Sequence, residues 1–315
     1  YIKIIYAGVI ATVAYNLIAS ILRALGDSKT PLYFLIISSV LNVILDLVFI
    51  INFNMGVAGA AYATIISQAV SAILCLIYTY KKFTILRLKR EDFNVKKRYY
   101  HKHLKIGIPM ALQFSITAIG IMTVQGALNV FGSTIIAAYT AASKALQLVM
   151  QPAITFGVTM ATYCGQNLGA KEYNRIKEGV KACTKISIIT SIIAGAVLIF
   201  LGKYFVMMFI SNPDVEILKY AQQVLDISAI FFIPLGLIFI YRNALQGIGD
   251  SFVPMMAGAY ELIARAIVAF TLPQYIGFFG ICLADPVAWL AASIPLGITY
   301  FKRIKHLLKH GTIKV

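Results

Sequence analysis

Gly26-Asp27-Ser28-Lys29-Thr30-Pro31 returns 223 positions later as Gly249-Asp250-Ser251-Phe252-Val253-Pro254. Two further anchors follow in the same order. Gly56 and Gly59 reappear as Gly277 and Gly280, and Tyr80-Lys81-Lys82 reappears as Phe301-Lys302-Arg303, both at a shift of 221. Three anchors in one order, at nearly one spacing, are the mark of a duplicated chain. In a very apolar protein, such duplication fits two related helical bundles arranged around a central transport site. Residues 1–82 pair with roughly 224–303, whereas about 104–220 has no counterpart. That counterpart is expected upstream of Tyr1, over on the order of 120 residues.

Apolar residues make up 60% of the 315-residue chain and charged residues 13%. Ordinary soluble domains are about one quarter charged, so a soluble domain is excluded. The apolar residues fall in blocks long enough to cross a bilayer as helices. The expected blocks are 3–24, 31–52, 57–80, 106–131, 133–163, 183–210, 221–246, 253–272 and 280–301. The fold expected is therefore an all-α integral membrane protein. It is a two-lobed helical bundle with an internal repeat and nine of twelve transmembrane helices present. The domains expected are 1–81 as the C-terminal part of the N-lobe, 82–105 as a cytoplasmic linker, 106–303 as the C-lobe and 304–315 as a cytoplasmic tail. The linker, rich in charge and tyrosine, is also compatible with contact to anionic lipid.

A net charge of +16 in a soluble protein would suggest nucleic acid; its distribution points elsewhere. With nine helices end to end, one side receives Arg23, Lys29, the bases between Lys81 and Lys105, those between Lys171 and Lys185, Arg242, and those after Phe301. The other side receives only Lys3, Lys203 and Lys219. This imbalance places the C-terminus in the cytoplasm, in a multi-pass protein of the cell (inner or plasma) membrane. The acidic loop Ser211-Asn212-Pro213-Asp214-Val215-Glu216 falls on the outer side.

Cys75, Cys164, Cys183 and Cys282 lack metal-ligand spacing and are expected as free thiols. No metal site and no cofactor is expected. His101, His103, His306 and His310 all fall in cytoplasmic segments, away from any nucleophile within the spans, so an enzyme is disfavoured. No filter-like segment suggests a channel. Each Gly-Asp-Ser-x-x-Pro motif reads as a tight turn in which Asp or Ser caps the next helix and Pro sits in its first turn.

Several motifs jointly carry a family resemblance. They are Leu25-Gly26-Asp27-Ser28 through Pro31, Asn129-Val130-Phe131-Gly132 with Ile136-Ala137-Ala138-Tyr139-Thr140, and Gly165-Gln166-Asn167-Leu168-Gly169-Ala170. Gly247-Ile248-Gly249-Asp250, Glu261-Leu262-Ile263-Ala264-Arg265 and Ala288-Trp289 complete the set. Together they resemble the multidrug and toxic compound extrusion family of bacterial transporters, over essentially the whole chain. The resemblance implies two six-helix lobes, a start at the fourth helix, and export against a proton or sodium gradient. Acids that couple cations in some members are sparse here: 106–131 has none, and the fourth C-lobe helix has only Asp226. The coupling ion is thus H+ or Na+, with neither preferred.

Polar residues inside the spans are the candidate pathway, because each is costly in hydrocarbon. Thr140, Lys144, Gln147 and Gln151, spaced four, three and four, form one stripe, with Pro152 following as a kink. Gln113, Gln125 and Asn129 offer amides to varied polar ligands. Asn42 and Asp46 lie one turn apart in the N-lobe. Asp46 has no base in its own helix and is left either to titrate or to pair with a base such as Lys144. Glu261 and Arg265, also four apart, read as a structural or coupling ion pair. Pro234 and Pro295 mark expected bends. The function expected is a secondary active exporter of organic compounds, amphipathic or cationic, exchanging H+ or Na+ by alternating access. The alternative is a flippase for lipid-linked oligosaccharides or precursors. Expected partners are small-molecule substrates and membrane lipid, with no nucleic acid and a monomeric state.

Overall fold

A computed structural model describes residues 2–87, 89–210 and 214–311, apart from the side chains of Glu91 and Phe93. Ser211, Asn212 and Pro213, of the loop expected on the outer side, lie outside the described residues. The described chain is helical throughout, with no strand among the described residues. It divides into two compact units, Tyr1–Val95 and Lys96–Val315.

The first unit holds α1 (Ile2–Ala7), α2 (Val9–Ala24), α3 (Lys29–Leu47) and α4 (Gly56–Lys82). A π-helical turn, Val48–Asn52, prolongs α3. α4 is the centre of this unit, packing against α2 and α3. Tyr15, Ile18, Ala19, Leu22, Ala72 and Cys75 form the small core between α2 and α4. Along α4, Gly59, Ala61, Ala63, Ser67, Ser71, Ala72 and Cys75 are buried. Small residues let the backbones approach, as membrane helix packing requires. Two serine hydroxyls cross the α3–α4 seam: Ser38 donates to the Ser67 carbonyl at 2.8 Å and Ser71 to that of Phe34 at 3.2 Å.

The second unit holds α5 (Lys97–Leu128), α6 (Ser133–Val149), α7 (Gln151–Gly169), α8 (Tyr173–Met207), α9 (Val215–Ile230), α10 (Phe232–Gly247) and α11 (Phe252–Thr271). The short α12 (Pro273–Ile276) and α13 (Phe278–Cys282) lead into α14 (Ala284–His310). α10 and α11 are the inner helices: α10 packs on α7, α8 and α14, and α11 packs on α5 and α14. Their buried faces supply much of one continuous core, including Leu235, Ile238, Ile240, Leu245 and Ala257.

The repeated anchors have a common local cause. Gly26 and Gly249 take φ of 90° and 92°, and Gly56 and Gly277 take 53° and 58°. Only glycine adopts such a backbone without cost. In each hexapeptide the residue after the glycine returns its N–H five positions back, Asp27 to the Leu22 carbonyl and Asp250 to that of Leu245, both at 2.9 Å. This satisfies helix carbonyls that would otherwise be orphaned. The aspartate, not the serine, then caps the next helix. Asp27 Oδ1 accepts from Thr30 N at 3.1 Å and Asp250 Oδ1 from Val253 N at 3.4 Å.

The third anchor closes the figure. Asp27 Oδ2 pairs with Lys82 Nζ at 3.3 Å, and Asp250 Oδ2 with Arg303 Nε at 2.9 Å. Lys82 and Arg303 occupy matching places in Tyr80-Lys81-Lys82 and Phe301-Lys302-Arg303. The three recurring pieces of sequence are thus one structural device, made twice. Tyr78 joins the first copy by donating to Asp27 Oδ2 at 3.0 Å. Burial alone would push the Asp27 carboxyl up, but Thr30, Tyr78 and Lys82 outweigh it and hold it at about 2. The pair therefore stays charged at any pH a cell meets.

The helices differ in detail from the predicted blocks. Helices cover all nine predicted blocks, but among the described residues six spans are long and apolar enough to cross a bilayer, or seven counting one bent pair. The cause is breakage. Val9–Ala24 is cut to 16 residues at Gly8, and the predicted 133–163 helix divides at Met150 into α6 and α7. Pro152 sits in the first turn of α7, where its missing N–H costs least. α9 and α10 meet at 56°, with Pro234 in the first turn beyond the break. Pro295, by contrast, lies inside an uninterrupted α14. The segment expected as a linker over 82–105 narrows, because α4 reaches Lys82 and α5 begins at Lys97. The expected tail is helical to His310, where Tyr173 donates to the Gly311 carbonyl at 3.0 Å.

Candidate functional site

In the first unit, Asn42 and Asp46 stand one turn apart on α3, immediately before the π-helical turn. Asn42 Nδ2 and Asp46 Oδ1 are sealed from solvent without a hydrogen-bond partner among the described residues. An unsatisfied carboxylate oxygen within a membrane span costs several kcal/mol unless something binds it. The wide turn that follows is a feature that recurs at functional positions. Repeat matching at 223 sets Asn42 opposite Arg265 and Asp46 opposite Ala269. The two polar dyads are therefore offset by one helical turn and are not strict copies.

In the second unit, the predicted Glu261–Arg265 pair is the weakest link of a larger network. Arg265 Nη2 lies 4.0 Å from Glu261 Oε2. Glu261 instead makes a close ion pair with Arg242 of α10. Arg265 Nε bonds Asp285 Oδ1 of α14 at 2.7 Å, and the Tyr139 hydroxyl of α6 donates to Asp285 Oδ2 at 3.0 Å. Three helices thus meet through two acids and two bases, a neutral set, and α6 joins them through the Tyr139 hydroxyl. Arg242 was expected in a cytoplasmic turn; it is buried in α10 and leaves the loop tally. Asp285 is the most open member, its side chain 28% exposed against 4% for Arg265 and 5% for Glu261. A Cβ at position 120 would come within 2.5 Å of Arg265 Nη1, so Gly120 is what lets α5 close over the guanidinium.

Gln113 faces α10 instead of an exposed surface. It is buried, and its Oε1 accepts from Gln246 Nε2 at 2.8 Å. Gln125 and Asn129 remain exposed near the far end of α5, with Asn129 opening a 3-10 turn. The Thr140, Lys144, Gln147 and Gln151 stripe is likewise exposed, and it straddles the break at Met150. Gln151 Nε2 donates to the Gln147 carbonyl at 3.1 Å across that break. Lys144 Nζ lies 5.7 Å from the Phe209 ring. Asp226 Oδ1 accepts from Gln222 Nε2 at 2.6 Å.

Sequence reading missed Tyr139, Gln246 and Asp285 as functional neighbours and misplaced Arg242. Asp285-Pro286 at the start of α14 was the visible signal for one of them, since a charge entering an apolar span is rare. No group of three or more possible metal ligands lies together among the described residues. The four cysteines are free and buried.

Comparison with known proteins fits this architecture. The MatE family model matches residues 106–271, more than half of the chain. A second family model, lipid II flippase MurJ, matches residues 2–100. The probable multidrug resistance protein YpnP of Bacillus subtilis (strain 168) is 32% identical over 253 residues, covering 79% of this chain and 55% of that protein. The probable multidrug resistance protein YoeA of the same organism is 26% identical, covering 96% and 67%. A solved outward-facing multidrug resistance MATE family transporter of the MOP superfamily superposes with a TM-score of 0.91 at 21% identity, over 98% of this chain and 69% of that one. This last likeness establishes the fold: an all-α, multi-pass membrane bundle. The chain belongs to the MatE family, the multidrug and toxic compound extrusion transporters, which are not enzymes. It spans 55% to 67% of the length of the two curated relatives.

Proposed function

We propose that the full protein is a secondary active exporter of organic, amphipathic or cationic compounds, driven by H+ or Na+ entry. The MatE match across the second unit supports export as the activity. Asp46 carries the coupling half of the reading: a membrane-span carboxylate with a sealed, unpartnered oxygen beside an unpartnered amide. A proton or a sodium ion binding there relieves the burial cost. Such an ion can then favour one of two transporter conformations, and only through a difference in affinity between them. The exposed Thr140, Lys144, Gln147 and Gln151 face offers hydrogen bonds and one cation to a passing substrate. Lys144 favours amphipathic or partly anionic cargo over small bare cations. The protein sits in the cell membrane with its C-terminus in the cytoplasm, as the basic loops direct.

The reading is tested in energised inverted vesicles carrying the full-length protein. A fluorescent cationic or amphipathic dye is expected to accumulate, and a protonophore or a sodium ionophore to abolish accumulation. Dye movement indifferent to both ionophores would overturn the antiporter. The MurJ match over residues 2–100 favours one second reading, movement of a lipid-linked precursor. Flipping of a fluorescent polyprenyl-diphosphate lipid without dye export would select it.

A further inference from the structure

The first nine residues of α5, Lys97-Arg98-Tyr99-Tyr100-His101-Lys102-His103-Leu104-Lys105, are all exposed. They continue directly into the membrane span. At 100° per residue, Lys97, His101, Lys105, Arg98 and Lys102 fall within one arc of about 140°. Tyr99, His103, Tyr100 and Leu104 fall within the opposite arc of similar width. The segment is therefore divided into a basic face and an aromatic face, with no residue out of place. Among the described residues, none of its lysines or its arginine is paired with a carboxylate. The Arg98 guanidinium stands 5.3 Å from the Tyr99 ring, at one level with it.

Length fixes where this segment lies. The 32 residues of α5 extend about 48 Å, against about 30 Å of hydrocarbon. Residues 106–128 alone cover about 34 Å and take up the hydrocarbon core. The nine preceding residues occupy about 13 Å, the depth of a headgroup layer. Tyrosine rings sit at that level, and lysine and arginine beside a span attract anionic headgroups.

We infer that Lys97, Arg98, Lys102 and Lys105 form a binding surface for the phosphate groups of anionic phospholipid in the inner leaflet, with Tyr99, Tyr100 and Leu104 seated among the glycerol and upper acyl groups. The lipid holds the start of α5 at a fixed depth, beside the chain segment that joins the two units. This goes beyond export itself, and its readout is lipid binding, independent of whether the protein moves dye.

The test uses full-length protein reconstituted in phosphatidylcholine vesicles containing phosphatidylglycerol, then extracted, with retained lipid quantified per protein. Wild type is expected to keep phosphatidylglycerol in preference to phosphatidylcholine. The combined Lys97→Gln, Arg98→Gln, Lys102→Gln and Lys105→Gln variant is expected to keep at least about fivefold less, the factor that one such cation carries at an anionic surface. Lys97→Arg, Lys102→Arg and Lys105→Arg together are expected to keep as much as wild type. Equal retention by the glutamine variant and wild type, or no preference between the two lipids, would overturn the inference. Displacement of the lipid by inorganic phosphate would assign the surface to free phosphate and overturn it as well. A measurement without any variant guards against misfolding: raising salt is expected to strip phosphatidylglycerol from wild type. Salt-indifferent retention would count against the inference.

Discussion

Asp46→Asn is expected to abolish ion-driven dye accumulation while leaving the protein folded and in the membrane. The substitution keeps the size of the side chain and removes only its ability to hold a proton or a sodium ion. Coupling between two ligands of one protein is typically a factor of about 5 to 150, and that factor is what the carboxylate contributes. Uphill accumulation should therefore fall by about one to two orders of magnitude, whereas downhill dye leak through the protein should persist. Asn42→Ala is expected to act in the same direction and less strongly, because it removes a neighbour of the ion and not its charge. Both are read by dye uptake at fixed imposed pH and sodium gradients. Undiminished uphill transport by Asp46→Asn would remove Asp46 from the mechanism. Loss of uphill transport together with the leak would mean that the variant blocks the pathway itself.

Glu261→Gln is expected to produce the largest loss of stability. Arg242 and Arg265 are both buried, and Glu261 is the acid that faces them both. Without its charge, Asp285 alone remains for two guanidiniums, and Asp285 already bonds Arg265 and Tyr139. Leaving one charge of a buried set uncompensated costs about 3–5 kcal/mol. Removing both partners is milder, since an apolar pair of similar volume is often neutral. Arg242→Met with Glu261→Leu should therefore recover much of the loss, and the two changes should be strongly non-additive. The four buried cysteines provide the readout, because a thiol-reactive fluorophore reports their exposure on heating. A Glu261→Gln protein as stable as wild type would show that the Glu261 charge contributes nothing net to stability.

The parts of the fold legible in sequence are those that demand unusual chemistry. A glycine at φ near 90° cannot be replaced freely, and an aspartate that both caps a helix and binds a base is doubly constrained. Such constraints kept Gly26-Asp27 and Gly249-Asp250 alike while the helices around them diverged. Apolarity alone reads poorly. Hydrophobic residues run straight through Phe231, where α9 breaks into α10, because a break inside a membrane needs no polar residue if neighbours satisfy the backbone. Periodicity found Glu261 with Arg265 because they share a helix. It could not find Arg242, Asp285 or Tyr139, which arrive from three other helices. Nor could it separate Gln113, whose amide is spent on Gln246, from the exposed Gln125.

A small difference in burial sets the two repeated turns apart. Asp250 is 1% exposed, whereas Asp27 is only partly covered and Lys82 is 55% exposed. The pair in the second unit is shielded from salt, and that in the first is screened. Equal sequence has thus been put to use in unequal surroundings, which is what a duplicated chain permits once its copies are free to vary.

The claim on which everything else rests is that one bundle was copied and that both copies present their anchors to the cytoplasm. Lys81 and Lys302 are matching, exposed positions beside the two ion pairs, and the four native cysteines are buried. The decisive measurement is labelling of Lys81→Cys and Lys302→Cys by a membrane-impermeant maleimide, in intact cells and in inverted vesicles. Both are predicted to react in inverted vesicles and to stay unlabelled in cells. Reaction of the two positions from opposite faces would contradict the duplication and, with it, the proposed exporter.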